Sequence, residues 1–139
     1  LPGSTTGNPG GLNADSEYPV GGGLATSWTT ISAAPAASPA WSTVQTLPFA
    51  FNFNGSPVTQ YKVSTSGVLT FDVNAATAPS YTKAALPNAG IPDNSVCIWG
   101  LAATGANDFI VNKTFGTAPN RQHWIMFSSY GIPNNTCWT

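Results

Sequence analysis

The segment from Leu47 to Asp72, LPFAFNFNGSPVTQYKVSTSGVLTFD, constrains the fold more than any other part of the chain. Leu47 and three phenylalanines occupy every second position up to Phe53, and such alternation is typical of a strand with one apolar face. Asn54-Gly55 and Ser66-Gly67 interrupt the pattern with residues that tolerate positive φ, as hairpin turns require. The segment therefore predicts a meander of three antiparallel strands: Leu47–Phe53, Gln60–Thr65 and Val68–Phe71.

Four further segments have the pattern of strands. Ser95–Leu101 is a continuous apolar run, which is typical of a strand buried on both faces. The other three segments are Trp28–Ile31, Asp108–Phe115 and Gln122–Tyr130. Gly116–Asn120 is the expected turn between the last two. Trp99 and Trp124 lie within these patterns, so we expect both rings in the core.

No segment predicts a long helix. Residues 74–92 contain three prolines, which exclude a continuous helix and leave room for one helical turn at Tyr81–Ala85. Short strand patterns at regular spacing are typical of all-β domains. We therefore predict an all-β fold, an antiparallel β-sandwich or jelly roll of about eight strands with little or no helix.

The domain organisation follows from length and composition. A chain of 139 residues fits one domain with a real core. Residues 1–23 are rich in Gly and Pro and lack periodicity, so they predict an irregular arm that precedes a sandwich domain at 24–139. Because the chain has no signal-peptide pattern and ends on an apolar segment, we expect it to be a piece of a longer protein.

Charge is unusually scarce in this sequence. Only 6% of the residues are charged, against about a quarter in an average domain, which indicates a secreted or cell-surface protein. The net charge is −1 and the four cations are scattered, so no patch for nucleic acid or an anionic membrane is expected. No apolar run is long enough to span a bilayer, so membrane insertion is not expected either.

The two cysteines, Cys97 and Cys137, suit a single disulfide in an exported protein. Closing a loop of about 40 residues would remove chain entropy worth about 4 kcal/mol. The alternative is a pair of free buried thiols. Two thiols and one histidine do not fill a tetrahedral metal site, so we expect no zinc.

Catalytic residues are sparse. His123 is the only histidine, and a general base would need a carboxylate such as Asp93 or Asp108 together with a nucleophile in a recognisable setting. No G-x-S-x-G sequence occurs, and the five acids lie in the N-terminal arm or near turns and strand ends. We expect His123 to form a structural hydrogen bond and the chain to have no enzymatic activity.

Two kinds of binding site remain as candidates. Asp93 and Asp108, each beside an asparagine, offer hard oxygen ligands for calcium, although Asx turns explain the same residues and no EF-hand pattern occurs. No other cofactor is expected. Trp41, Tyr81 and Tyr130 lie near strand ends, where a flat ring could stack on a sugar. The alternative for these rings is burial in the core.

Longer motifs resemble known extracellular modules. The run 47–71, the segment LPNAGIPDNSVCIWGL at 86–101 and the segment FGTAPNRQHWIMFSSY at 115–130 resemble β-sandwich modules of secreted and surface proteins of Bacteroidota, which are often exported by type IX secretion. The patterns Leu-Pro-Phe-x-Phe-x-Phe-x-Gly and Ser-x-Ser-Gly-x-Leu-x-Phe also resemble nidogen-like extracellular domains. The resemblance implies a sandwich outside the cell without an agreed catalytic site.

These observations lead to one functional hypothesis and one alternative. We expect a non-catalytic, extracellular or cell-surface β-sandwich module that acts in adhesion or structural assembly. Its partners would be glycans, other surface proteins or copies of itself in a filament or sheath, through neutral surfaces and exposed strand edges. The alternative is an accessory domain of a secreted hydrolase whose catalytic domain is not in this chain.

Overall fold

The computed structural model describes residues 28–32, 38–102, 108–128, 130–132 and 135–138. This part of the chain contains strands and no helix, so the all-β prediction is confirmed, and nothing in it could cross a membrane as a helix. The predicted arm at 1–23 lies outside the described residues. The nine strands are β1 Thr29–Ser32, β2 Gln45–Phe53, β3 Ser56–Val63, β4 Val68–Thr70, β5 Ser95–Cys97, β6 Phe109–Thr117, β7 Asn120–Ser128, β8 Gly131–Ile132 and β9 Asn135–Trp138.

The strands form two main antiparallel sheets. One has four strands in the order β2-β3-β4-β5, and the other has three strands in the order β1-β6-β7. Strands β8 and β9 pair with each other, and a bridge between Ala102 and Gly131 connects this ribbon to the chain that follows β5. The predicted antiparallel sandwich is therefore confirmed.

The predicted meander is present as β2, β3 and β4. Asn54 and Gly55 form the first turn with φ of 49° and 76°, the left-handed values that an Asn-Gly hairpin turn uses. Gly67 has φ 84° in the second turn. Strand β3 begins at Ser56, earlier than predicted, because it pairs with β2 from the first residue after the turn.

The main core lies between the two sheets. Tyr61 and Val63 of β3 meet Ile110 of β6 there, and all three side chains are fully buried. Leu101 and Tyr130 complete this cluster, with half-buried side chains of β2, β4 and β7 around it. Burial of such side chains stabilises the fold by about 1.5–3 kcal/mol each.

The opposite face of the three-stranded sheet has an aromatic cluster of its own. The Trp28 and Phe115 rings meet edge to face with centroids 5.9 Å apart, and Phe115 meets Trp124 at 5.8 Å. Trp28, Val111 and Phe115 are buried, while Trp124 is half-buried against them. This sheet is therefore apolar on both faces, and Trp124 packs as expected but on the outer side.

The prediction of a strand buried on both faces at Ser95–Leu101 is wrong. Only Ser95–Cys97 forms a strand, and Val96 and Ile98 are 51% and 61% exposed. Strand β5 is the edge of its sheet, and the chain then curls around the preceding turn, since the N–H groups of Ile98 and Trp99 both donate to the Gly67 carbonyl. Trp99 has φ 40° at this bend and is buried, as predicted for its ring.

The connection from β4 to β5 contains no helix, and the helical turn considered at Tyr81–Ala85 does not form. Two side-chain contacts hold the connection on the sandwich. The Trp99 Nε1–H donates to the Ser80 carbonyl at 2.7 Å, and the hydroxyls of Tyr81 and Thr65 lie 3.0 Å apart. These contacts fix an irregular segment without local secondary structure.

Candidate functional site

An apolar cleft of about 470 Å³ lies between the two sheets, beside β7. One wall is the inner face of the four-stranded sheet, and the other is the first half of β7. The lining residues are Leu47, Phe49, Phe51, Tyr61, Leu69, Phe71, Val96 and residues 121–125. Its volume is typical of a pocket that holds a ligand or a few partner side chains.

The wall formed by the four-stranded sheet is partly open. Phe51 and Val96 belong to β2 and β5, the two edge strands of this sheet, and their side chains are 41% and 51% exposed. The Phe71 ring lies between these strands, with centroids 5.9 Å from Phe51 and 4.8 Å from Phe53. Part of the face that the alternating pattern predicts to be buried is therefore open to solvent.

A hydrogen-bonded trio connects the two sheets at the inner end of the cleft. The hydroxyl of Tyr61 on β3 lies 2.8 Å from His123 Nε2 on β7. The other ring nitrogen, Nδ1, lies 3.0 Å from Thr114 Oγ1 on β6, and the register pairs Thr114 directly with His123. Both nitrogens of the imidazole therefore have a neutral hydroxyl partner.

Burial disfavours the charged forms of His123 and Tyr61. It lowers the pKa of His123 below its ordinary 6.5 and raises the pKa of Tyr61 to about 12, because the low-dielectric surroundings disfavour either charged form. The hydrogen-bond partners of His123 include no carboxylate. The arrangement suits a structural link between the sheets, and it lacks the acid that would orient a catalytic base.

Arg121 is the charged side chain among the residues that line the cleft. Its guanidinium stacks over the Phe49 ring at 5.2 Å, and Nη1 donates to the Pro48 carbonyl at 3.2 Å. A guanidinium has five N–H donors, so most of them remain open to solvent or a ligand. The contact with β2 therefore holds one cation at the solvent-facing end of an apolar cleft.

Two of the aromatic side chains proposed for sugar stacking have partners within the domain. The Lys62 ammonium lies 4.9 Å from the centre of the Trp41 ring, so a cation already contacts one face of this indole. Tyr81 is half-buried, and its hydroxyl is bonded to Thr65. Neither residue lines the cleft.

Tyr130, the third proposed stacking residue, lies in the main core. Its side chain is fully buried, and its ring packs edge to face on Phe127 with centroids 5.5 Å apart. Burial and a neighbouring Asp108 charge raise the pKa of its hydroxyl to about 12. This burial favours the alternative of a core residue, and sugar stacking by Tyr130 stays a prediction.

The calcium candidates differ in their surroundings. Asp108 is buried at the start of β6, whereas Asp93 is exposed in the turn before β5. Within the described ranges, no group of three or more His, Cys, Asp or Glu residues could hold a metal ion. Calcium binding at Asp93 or Asp108 therefore stays a prediction.

Cys97 is half-buried at the end of β5 and forms no disulfide with a described side chain, and burial raises the pKa of its thiol. Cys137 lies in β9, and its side chain is outside the described residues. The Cys97–Cys137 disulfide therefore stays a prediction.

Sequence analysis missed the cleft itself. The alternation in Leu47–Phe53 identified an apolar face, but a single strand pattern does not say how far an opposing sheet covers that face. The position of Arg121 was missed for the same reason, because its partners Pro48 and Phe49 are distant in sequence. The available signal was the concentration of phenylalanine at positions 49, 51, 53 and 71.

Comparison with known proteins agrees with the nidogen-like patterns. The family model described as NIDO related matches residues 22–137, which is most of the chain. The searches of curated proteins and of solved structures found no match.

Proposed function

Since this chain belongs to the NIDO-related family, we propose that it is a non-catalytic extracellular module that binds another polypeptide in adhesion or structural assembly. Domains related to nidogen are generally extracellular, and the low charge content agrees with that location. The motifs at 47–71, 86–101 and 115–130 further support a place among secreted or surface proteins of Bacteroidota. The family, the charge content and the motifs support the extracellular location, whereas the cleft supports the binding activity.

The open cleft is the observation that supports polypeptide binding. Exposed apolar side chains grouped in a concave site are unfavourable in water and commonly mark interaction surfaces. Covering the exposed parts of Phe51 and Val96 would contribute about 1–2 kcal/mol each, on the scale of full burial of such side chains. Two such contacts improve affinity by roughly a hundredfold.

The chemistry of the lining favours apolar peptide side chains over a glycan. A sugar needs several convergent hydrogen-bonding groups, and most polar side chains that line the cleft are already bonded to neighbours. The hydroxyl of Tyr61 is bonded to His123, and Gln122 Oε1 accepts from Trp124 Nε1–H. The imidazole of His123 is already bonded to Tyr61 and Thr114. Trp41 and Tyr81, the remaining aromatic candidates, lie elsewhere and have partners within the domain.

The bonding of His123 supports a binding role without catalysis. A catalytic histidine is usually oriented by a carboxylate, whereas the two nitrogens of this ring are bonded to the hydroxyls of Tyr61 and Thr114. We therefore expect no turnover on a broad panel of ester, peptide and glycoside substrates, and no difference between the wild type and His123→Gln. Turnover that His123→Gln abolishes would show that the module is an enzyme.

Selection of displayed peptides tests the binding proposal directly. We would select a library of random nine-residue peptides on the immobilised chain and repeat the selection on Val96→Gln. Ile98→Gln is the matched control, because Ile98 is similarly exposed and only two residues away but does not line the cleft. Both substitutions affect exposed side chains, so the fold is retained.

We expect the wild type and Ile98→Gln to enrich the same peptides, which alternate apolar and polar residues. Val96→Gln should bind those peptides about tenfold more weakly, because it places an amide in the apolar wall. Absence of enrichment, or peptides that bind Val96→Gln and the wild type equally, would refute the proposed use of the cleft. Binding to a glycan array that Val96→Gln abolishes would favour a lectin instead.

A further inference from the structure

The edge of β7 itself borders the cleft. Five consecutive residues, 121–125, line it, although alternate side chains of a strand point to opposite faces of the sheet. A consecutive run can line one cavity only if the main chain of the strand is exposed to it. In the described part of the chain β7 pairs with β6 alone, so its other edge has N–H and C=O groups available for a further strand.

A strand placed on that edge would also cover the open wall. Among the described residues, the sheet that contains β7 has three strands and the sheet opposite has four, and Phe51, Phe71 and Val96 line the cleft together with residues 121–125. An added strand would direct every second side chain toward these residues, because strand side chains alternate. One extended segment would therefore satisfy both the free edge and the apolar wall.

The positive charge of Arg121 indicates that a segment bound in the cleft carries an acidic residue. Arg121 is the cation among the lining residues, no acid lines the cleft, and the guanidinium forms no ion pair with any described residue. Its contacts with Pro48 and Phe49 hold it in place before a partner arrives, so little freedom is lost on binding. A carboxylate is the group that the remaining N–H donors fit, in a bidentate geometry.

We infer that the cleft is filled by an extended segment of a partner protein, which adds as a strand to the free edge of β7. The segment has apolar residues at alternate positions and an Asp or Glu side chain that pairs with Arg121. This inference rests on the proposed polypeptide-binding function and specifies the partner for the same site.

The same peptide selections test this inference, with Arg121→Gln added. The wild type should enrich Asp or Glu at one fixed position beside the alternating apolar residues, and Arg121→Gln should enrich the apolar pattern without the acid. Lys113→Gln is the control, because Lys113 is a cation of the same sheet that does not line the cleft. It should retain the preference for an acid.

The measured affinity of one selected peptide then gives the size of the preference for an acidic residue. We expect the acid-containing peptide to bind the wild type about three- to tenfold more tightly than its Gln or Asn counterpart, with equal binding to Arg121→Gln. The preference should shrink as salt is raised. Apolar peptides selected without any acid would overturn this inference and leave the proposed function standing. Failure to select apolar peptides would overturn both.

Discussion

Three of the four cations in this chain lie over aromatic rings. Lys62 covers Trp41, Lys113 covers Phe115 at 5.0 Å, and Arg121 covers Phe49. Such contacts contribute about 0.5–1 kcal/mol when exposed and about 2 kcal/mol when desolvated, as for the buried Lys62. In a chain with only five acids, aromatic rings thus provide much of the stabilisation that cations elsewhere gain from carboxylates.

The bond between Tyr61 and His123 is the residue-scale contact that holds the two sheets together at the cleft. Replacement His123→Ala leaves the buried Tyr61 hydroxyl without its partner, so we expect the free energy of unfolding to fall by about 1–3 kcal/mol. The double variant Tyr61→Phe with His123→Ala should recover part of this loss. Urea unfolding measures both, and an unchanged midpoint for His123→Ala would show that the bond contributes nothing.

The same histidine predicts a pH dependence of stability. Burial lowers its folded-state pKa below 6.5, so the unfolded chain binds this proton more readily. Its contribution to stability is therefore complete above pH 6.5 and is lost as the pH falls through the folded-state pKa. Urea unfolding between about pH 7.5 and pH 5 should show a steeper loss for the wild type than for His123→Gln. Parallel losses for the two proteins would contradict this assignment.

At the scale of elements, the sequence predicted those strands whose signals are local. The Asn54-Gly55 turn and the alternation of Leu47–Phe53 depend on neighbours in the chain, and the β2-β3 hairpin forms as expected. The prediction of a fully buried strand at Ser95–Leu101 was wrong because its apolar residues lie in different surroundings. Trp99 and Leu101 enter the core, whereas Val96 and Ile98 stay exposed at a sheet edge. Composition alone cannot separate these cases, since edge position is set by the order of strands.

Gly55 and Gly67, the two turn glycines of the meander, differ in the space available for an added Cβ atom. Both have positive φ, but a Cβ at Gly67 would lie 2.9 Å from Leu101 Cγ, whereas Gly55 has open space. We expect Gly55→Ala to cost about 1 kcal/mol through backbone strain, and Gly67→Ala to cost about 2–4 kcal/mol because overpacking adds to that strain. Thermal unfolding of the two variants measures the difference, and equal losses would mean that Leu101 moves aside freely.

At the scale of the whole molecule, the main feature is the apolar cleft between two sheets that have, among the described residues, three and four strands. Strand patterns predicted a sandwich, but they did not predict that three strands would face four or that β7 would border a cleft. Those properties depend on pairing between segments far apart in the chain, such as β1 with β6. The predicted stacking residues lay at strand ends, whereas the candidate site lies on strand faces and at a strand edge.

Amide hydrogen exchange of the chain, alone and with a selected nine-residue peptide, tests the use of the β7 edge most directly. If the peptide adds as a strand, alternate amides within residues 121–125 should exchange more slowly on binding, because they donate to the new strand. Amides of β1, at the opposite edge of the same sheet, should keep their exchange rates. Slowed exchange at β1 or β5 with β7 unchanged would contradict the account.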